Sequence, residues 1–226
     1  MTQQAIKKAA LKRFAEQGYD GTSMAAIAGD VGIKAPAIYA HFKGKTELFL
    51  ELLDTVLAGE LGHADSFLAG AGKTENILLA FLEDVGIRFE KSPDLRFVLN
   101  AVYLPPQKLA PQMEKPVQAY MNNMEILINN VFKRLPPCRI PPEKMAAAYM
   151  GLLDGMQVEI LYGGTPKFRK RLDAFRELFR LAFEHEWTSR WLEVGSFPAQ
   201  RVTTGCVPGT QRTHQRTLHA HAPPAE

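Results

Sequence analysis

The sequence predicts an all-α protein, with an N-terminal three-helix head containing a helix-turn-helix, joined to a larger helical body. Three observations lead there. Apolar residues recur at steps of three and four over long stretches, as a helix with one buried face requires. This is plainest at Leu48, Phe49, Leu52, Leu53, Val56 and Leu57, and again at Phe168, Leu172, Phe175, Phe179 and Phe183. Nowhere does the period-two alternation of a half-buried strand hold for long. Clear breaks at Gly70-Ala71-Gly72, at the prolines 105, 106 and 111, and at PPCRIPP (136–142) cut the helical pattern into separate lengths.

With 226 residues, 46% of them apolar, the chain can bury one sizeable core plus a small head. No uncharged apolar run of about 18 residues occurs, and the opening MTQQAIKKAALKRF is interrupted by charge where a signal peptide needs an apolar segment. The expectation is a protein of the reducing cytoplasm without a membrane span. Cys138 and Cys206, the only two cysteines, suit that setting and indicate no disulfide framework. Charge is unevenly spread. Residues 1–50 hold seven Lys/Arg against four Asp/Glu, residues 51–194 hold 17 against 19, and residues 195–226 hold three against one. The head is thus basic and the body neutral, the distribution expected if a polyanion binds at one end.

In chain order, residues 3–17 read as the first helix, with Ile6, Ala10 and Phe14 stepping inward and Lys7, Lys8, Lys12 and Arg13 outward; Gly18 ends it. Thr22 or Ser23 is placed to cap a second helix carrying Met24, Ile27 and Ala28 on one face. Val31-Gly32-Ile33 is a turn, because glycine takes the positive φ such a corner requires. A third helix follows, with Pro36 in its first turn and Ile38 and Phe42, four apart, facing in. Ala35, Ala37, Tyr39, Ala40 and His41 then point outward, flanked by Lys34, Lys43 and Lys45, with no acid between Val31 and Lys45. A thin outer face with basic flanks is what entry into a DNA major groove requires. The candidate DNA-contacting set is Thr22, Ser23, Lys34, Ala35, Pro36, Ala37, Tyr39, His41, Lys43 and Lys45.

These residues, together with the alanine-rich first helix ending at Phe14 and Gly18-Tyr19, then Thr22-Ser23, Ile27-Ala28, Gly32, Tyr39, Phe42, Lys45 and Leu48-Phe49, resemble the N-terminal domain of the TetR (tetracycline-repressor-like) family over residues 5–49. Two positions depart from the pattern: Lys34 stands where a capping serine is common, and Gly44 where serine or asparagine often precedes the lysine. The resemblance implies a homodimeric, ligand-responsive regulator, a repressor, that binds double-stranded DNA at a palindromic operator, with the last two helices forming the dimer interface. It also implies a small hydrophobic effector bound among the body helices. A ligand-binding or adaptor protein with a degenerate head is the rival reading.

The head is bounded as residues 1–46, the helical body as 47–193, and residues 194–226, rich in Pro, Gly, Thr, Gln, Arg and His, read as a disordered tail. In the body, a long helix follows Lys45. Thr74 is placed to cap the next, Pro93 opens a short one, and a long one spans about Met113 to Leu135. The next helix, from Glu143 to Gly164, contains Gly151 and Gly155, whose four-residue spacing clears one face for a close neighbour. The last starts at Thr165-Pro166. Gly151, Gly155, Phe168, Leu172, Phe175, Phe179 and Phe183 are the candidate dimer interface, the phenylalanine stripe serving both core and partner. Phe81, Phe89, Phe97, Tyr103, Tyr120, Met121, Met124, Met150 and Gln157 are the candidate pocket, since mixed Met and aromatic linings suit adaptable apolar binding. No nucleophile, base and orienting group come together in the sequence, and His185 with its flanking glutamates lacks metal-ligand spacing, so neither an enzyme nor a cofactor or metal is expected. Asp154, an acid inside an apolar helical run, is either an interface hydrogen-bonding group or a pocket residue for a cationic ligand.

Overall fold

The computed structural model describes residues 3–136 and 140–184; the tail, His185 and both cysteines lie outside them. Among the described residues there are eight helices and no strand. The head comprises α1 (Gln3–Gln17), α2 (Met24–Asp30) and α3 (Ala35–Ile38). The body comprises α4 (Lys45–Leu68), α5 (Thr74–Lys91), α6 (Pro93–Tyr103), α7 (Ala110–Phe132) and α8 (Pro142–Glu184).

Local chemistry accounts for most boundaries. Ser23 holds an extended backbone and its hydroxyl accepts from the Ala26 N–H at 3.1 Å, capping α2. Gly32 has φ +70°, the left-handed turn that lets α3 follow α2 at once. α3 is shorter than the sequence suggests. Lys34 in the cap position supplies no side-chain acceptor, and beyond Ile38 the chain tightens: Ala40 N–H bonds to Ala37 and His41 N–H to Ile38, in i→i+3 fashion. Thr74 is not a cap either. It is the first residue of α5, buried, with Lys73 before it contributing no side-chain bond. α7 starts earlier than expected because Pro111 fits its first turn, where a missing N–H costs nothing. α8 is two helices, 142–163 and 165–184, meeting at Gly164, whose φ of 70° and ψ of 178° are not helical.

α4, α5, α7 and α8 pack side by side to form the body, and α6 lies between them and α1. Phe168 on the second arm of α8 fits against Gly86 of α5, where any Cβ would sit 2.6 Å from the ring. Phe168 is 1% exposed, and removing such a side chain from the core forfeits roughly 2–3 kcal/mol.

Candidate nucleic-acid interface

The head presents its candidate DNA-contacting surface by burying what lies beneath it. Ile27, Ala28, Ile38 and Phe42 are buried against Ile6, Ala10 and Phe14 of α1. That leaves Lys34, Pro36, Ala37, Tyr39, Ala40, His41 and Lys43 exposed and Ala35 half-buried, on one short helix and the turn after it. Ser23 is exposed at the start of α2.

Two residues of the sequence-derived set have other work. Thr22 is buried and its hydroxyl donates to the Gly18 carbonyl at 2.8 Å. It braces the α1–α2 corner, out of reach of a nucleic acid. Lys45 is half-buried, and its ammonium donates to the carbonyls of Tyr19 at 2.7 Å and Thr22 at 2.9 Å, while standing 4.1 Å over the Tyr19 ring. Two of its three protons are therefore committed, and it fastens α4 to the α1–α2 corner rather than offering its charge to phosphate. The Tyr19 hydroxyl adds a 2.8 Å bond to Thr46 Oγ1, and Glu47 accepts from the Lys43 N–H.

The cations of α1 divide in the same way. Lys7 pairs with Glu51 of α4 at 2.6 Å. Arg13 pairs with Asp30 at the end of α2, which holds that carboxyl below its usual range. Lys8 and Lys12, exposed and one turn apart, make no ion pair among the described residues and border a groove that also includes Arg13, Asp30 and Val31. Their spacing of four put them on one face in the sequence, but only the pairing of Lys7 and Arg13 singles them out.

In the body, the expected pocket residues separate. Phe97 belongs to the head junction: its ring lies 5.1 Å from that of Phe49 and 6.3 Å from that of Phe14, and Asn100, one turn on, donates to the Ala15 carbonyl at 3.3 Å. Phe81 packs on Phe67, and Met124 and Met150 are buried in the core. Phe89 and Met121 are half-buried against that core. Tyr103, Tyr120 and Gln157 contribute to a polar centre that the sequence only partly disclosed. Tyr103 Oη lies 2.8 Å from both Asp154 Oδ1 and Gln157 Oε1. Glu60, 5% exposed, is gripped by both terminal nitrogens of Arg88. Beside them His63 Nε2 meets Asp84 Oδ2 at 2.7 Å. Burial, then the charges of Glu60 and Asp154, push the Tyr120 phenol upward. Glu60 was findable as the one acid in the apolar stripe from Leu53 to Leu68. A groove of about 750 Å³ lies elsewhere, between α5 and the second arm of α8, bounded by Lys73, Glu83, Arg176 and Phe183.

The proposed interface residues also divide. Gly151 and Gly155 are exposed, with no atom within 4 Å of where a Cβ would stand. Phe168 and Leu172 are buried in their own chain, the former by its seat on Gly86, so neither is available to a partner. Phe175, Phe179 and Phe183 are half-buried against the chain's own core, Phe179 6.3 Å from Tyr149. The outward apolar residues of α8 are instead Val158, Tyr162, Leu178 and Leu181, with Tyr162 70% exposed.

A helix-turn-helix head with a thin basic face, fastened to an all-helical body, defines a class of DNA-binding protein. Residues 6–52 match the model of the "Bacterial regulatory proteins, tetR family". Over 51 residues the chain is 45% identical to the HTH-type transcriptional regulator AcrR of Shigella flexneri, a match spanning 23% of this chain and 24% of that relative. The fold is shared over a longer span. A putative TetR-family transcriptional regulator from Mesorhizobium loti superposes with a TM-score of 0.59 at 23% identity, covering 79% of this chain and 95% of the other. The transcriptional regulator FadR from Bacillus subtilis, solved in complex with stearoyl-CoA, gives 0.56 at 12% identity over 76% and 96%. Residues 6–52 thus form a head of the kind that this family model describes. No described helix is long and apolar enough to cross a membrane.

Proposed function

We propose that this protein is a ligand-responsive transcriptional repressor of the cytoplasm that reads a palindromic operator as a homodimer, one head per half-site, and is released by a small, largely apolar effector. The surface from Lys34 to Lys43 carries this reading: exposed, acid-free, and backed by a buried Ile38 and Phe42 that hold it in place. Phosphate contacts by Lys34 and Lys43 would set the register, while Tyr39, His41 and the small Ala35-Pro36-Ala37 face approach base edges.

The body supports the regulatory half. α6 touches the head at Phe97 and Asn100 and the polar centre at Tyr103, six residues or roughly 9 Å apart along one helix. A ligand that repositions Tyr103 therefore acts on the element against which α1 rests. The exposed strip of Gly151, Gly155, Val158 and Tyr162 supports pairing of two copies through α8. That a similarly folded regulator is complexed with stearoyl-CoA supports an effector of apolar character.

Selection from random duplexes with the purified protein tests the reading. A recovered motif with two-fold symmetry is expected; failure to enrich any sequence would favour an adaptor with a degenerate head.

A further inference from the structure

We propose that α4 is not a rigid lever but carries a compliant joint at Gly59–Gly62, so that the head, the first half of α4 and α6 turn as one unit, which the body holds through Tyr103. The joint is a property of the fold, while its bearing on DNA rests on the reading of the protein as an operator-binding regulator.

The first observation is how the attachments of α4 divide. Up to residue 51 they run to the head. Lys45 reaches the Tyr19 and Thr22 carbonyls, Thr46 the Tyr19 hydroxyl, Phe49 the ring of Phe14, and Glu51 the ammonium of Lys7. From residue 60 onward they run to the body. Glu60 is held by Arg88, His63 by Asp84 at 2.7 Å, Phe67 lies on Phe81, and the Leu68 carbonyl accepts from Arg134 at 2.8 Å. Between these stretches, the hydroxyl of Thr55 bonds within α4 itself, to the Glu51 carbonyl. Leu52, Leu53, Val56 and Leu57 there are buried by apolar packing, the kind of contact that permits small sliding.

The second observation is independent of the first. Gly59 and Gly62 lie inside a 24-residue helix, exposed, with no atom within 4 Å of where a Cβ would stand. Neither makes room for a neighbour, as Gly86 does for Phe168. Glycine is among the poorest helix formers because its backbone loses the most freedom on being fixed, and helices kink at such weak steps. The two glycines bracket Glu60, the first residue of α4 that the body grips, so the weak steps fall where the two sets of attachments meet.

The third observation places α6 with the head. Phe14, Phe49 and Phe97 form one ring cluster drawn from α1, α4 and α6, and Asn100 adds its bond to the Ala15 carbonyl. A single extended residue, Ser92, joins α6 to α5. Among the described residues, the side-chain hydrogen bonds from α6 to the body are those of Tyr103, whose hydroxyl lies 2.8 Å from Asp154 and Gln157 of α8. From Lys45 to Gly59 is about 21 Å of helix, so a bend of about 10° moves the head by roughly 4 Å. That is close to the rise of one base pair, about 3.4 Å, and it exceeds what a hydrogen bond can stretch. Tyr103 is thus a positioning residue: the unit turns when its hydroxyl lets go.

Pulsed dipolar spectroscopy on the full chain tests this, with Cys138 and Cys206 replaced by serine and spin labels on introduced cysteines. Labelled chain is diluted into unlabelled chain, so that distances are read within one protomer. The pair Glu16→Cys with Asn130→Cys crosses the joint, Glu16→Cys with Asp54→Cys lies inside the turning unit, and Asp65→Cys with Lys115→Cys lies inside the body; all five positions are exposed. The crossing pair should give a distance distribution at least twice as wide as the other two. Gly59→Ala with Gly62→Ala should narrow it to their width, and Tyr103→Phe in the otherwise unaltered chain should widen it further. A crossing pair as narrow as the others, or a width that the two alanines leave unchanged, would overturn the joint. An unchanged width on Tyr103→Phe would overturn the hold assigned to that hydroxyl. Altered sedimentation of the alanine variant would show that this face of α4 meets a second copy, which also overturns the proposal. The distances are read without DNA, so a protein that enriches no operator loses the regulator reading and keeps or loses the joint on these widths alone.

Discussion

Lys45 shows how a residue can keep its place in a pattern and change its task. Its position and charge were legible in the sequence; the carbonyls of Tyr19 and Thr22 that take up its ammonium were not, because they belong to a corner 26 and 23 residues away in the chain. The same limit applied to Thr22, whose hydroxyl the turn at Gly18 claims. This separates two expectations. With Lys34 and Lys43 of each head on phosphates, four contacts give a log–log salt slope of roughly −4 for operator binding. Lys43→Ala should flatten it by roughly 2 for the dimer and leave the preferred sequence unaltered; a changed sequence preference would place Lys43 on a base. A slope closer to roughly −7 would bring Lys8 and Lys12 into contact as well. Lys45→Met, by contrast, should leave the slope alone and destabilise the protein by about 1–3 kcal/mol, the loss of charged hydrogen bonds, seen as a lower melting temperature.

Among the elements, α8 separates what periodicity can reveal from what it cannot. The four-residue steps correctly marked the phenylalanines as one stripe, but period alone does not say whether a stripe faces its own chain or a second one. Gly86 settles it for Phe168, since only a residue without a side chain leaves room for that ring. Gly86→Ala should cost about 1–3 kcal/mol in chemical denaturation, as overpacking does, without altering association. Gly155→Leu should do the reverse. Its position is open in the single chain, so the fold tolerates it, while two α8 helices can no longer approach closely. Sedimentation should report monomers or a much weaker dimer, with operator affinity lowered accordingly. A dimer of unchanged strength would mean that the Gly151–Gly155 face is not the one that pairs. α3 is shorter than its apolar spacing suggests for a different reason: Ile38 and Phe42 keep their inward direction through a tightened turn, so the spacing holds where the helix does not.

For the molecule as a whole, the helical architecture was readable from periodicity, whereas the polar centre was not, because its members come from five helices and meet only on folding. A ligand alters operator affinity only through unequal affinity for the DNA-competent and incompetent arrangements. A compound that raises the melting temperature through the body should therefore weaken operator binding by roughly 5- to 150-fold, the range of ordinary coupling. Asn100→Leu, which cuts the bond from α6 to the Ala15 carbonyl, should shrink that factor while ligand affinity in the absence of DNA stays the same. An unchanged factor would assign the transmission to α4 alone.

The ring cluster of Phe14, Phe49 and Phe97 carries a practical corollary for anyone building chimeric regulators. Phe14 and Phe49 come from the first 49 residues, but the third ring arrives from α6, some 50 residues later. A graft cut just after α3, or even within α4, leaves that side of α1 bare, and its new host must offer an aromatic of its own at the same spot. Transplants into bodies whose sixth helix carries a small or polar residue there should express poorly, and restoring one phenylalanine in the recipient should rescue them.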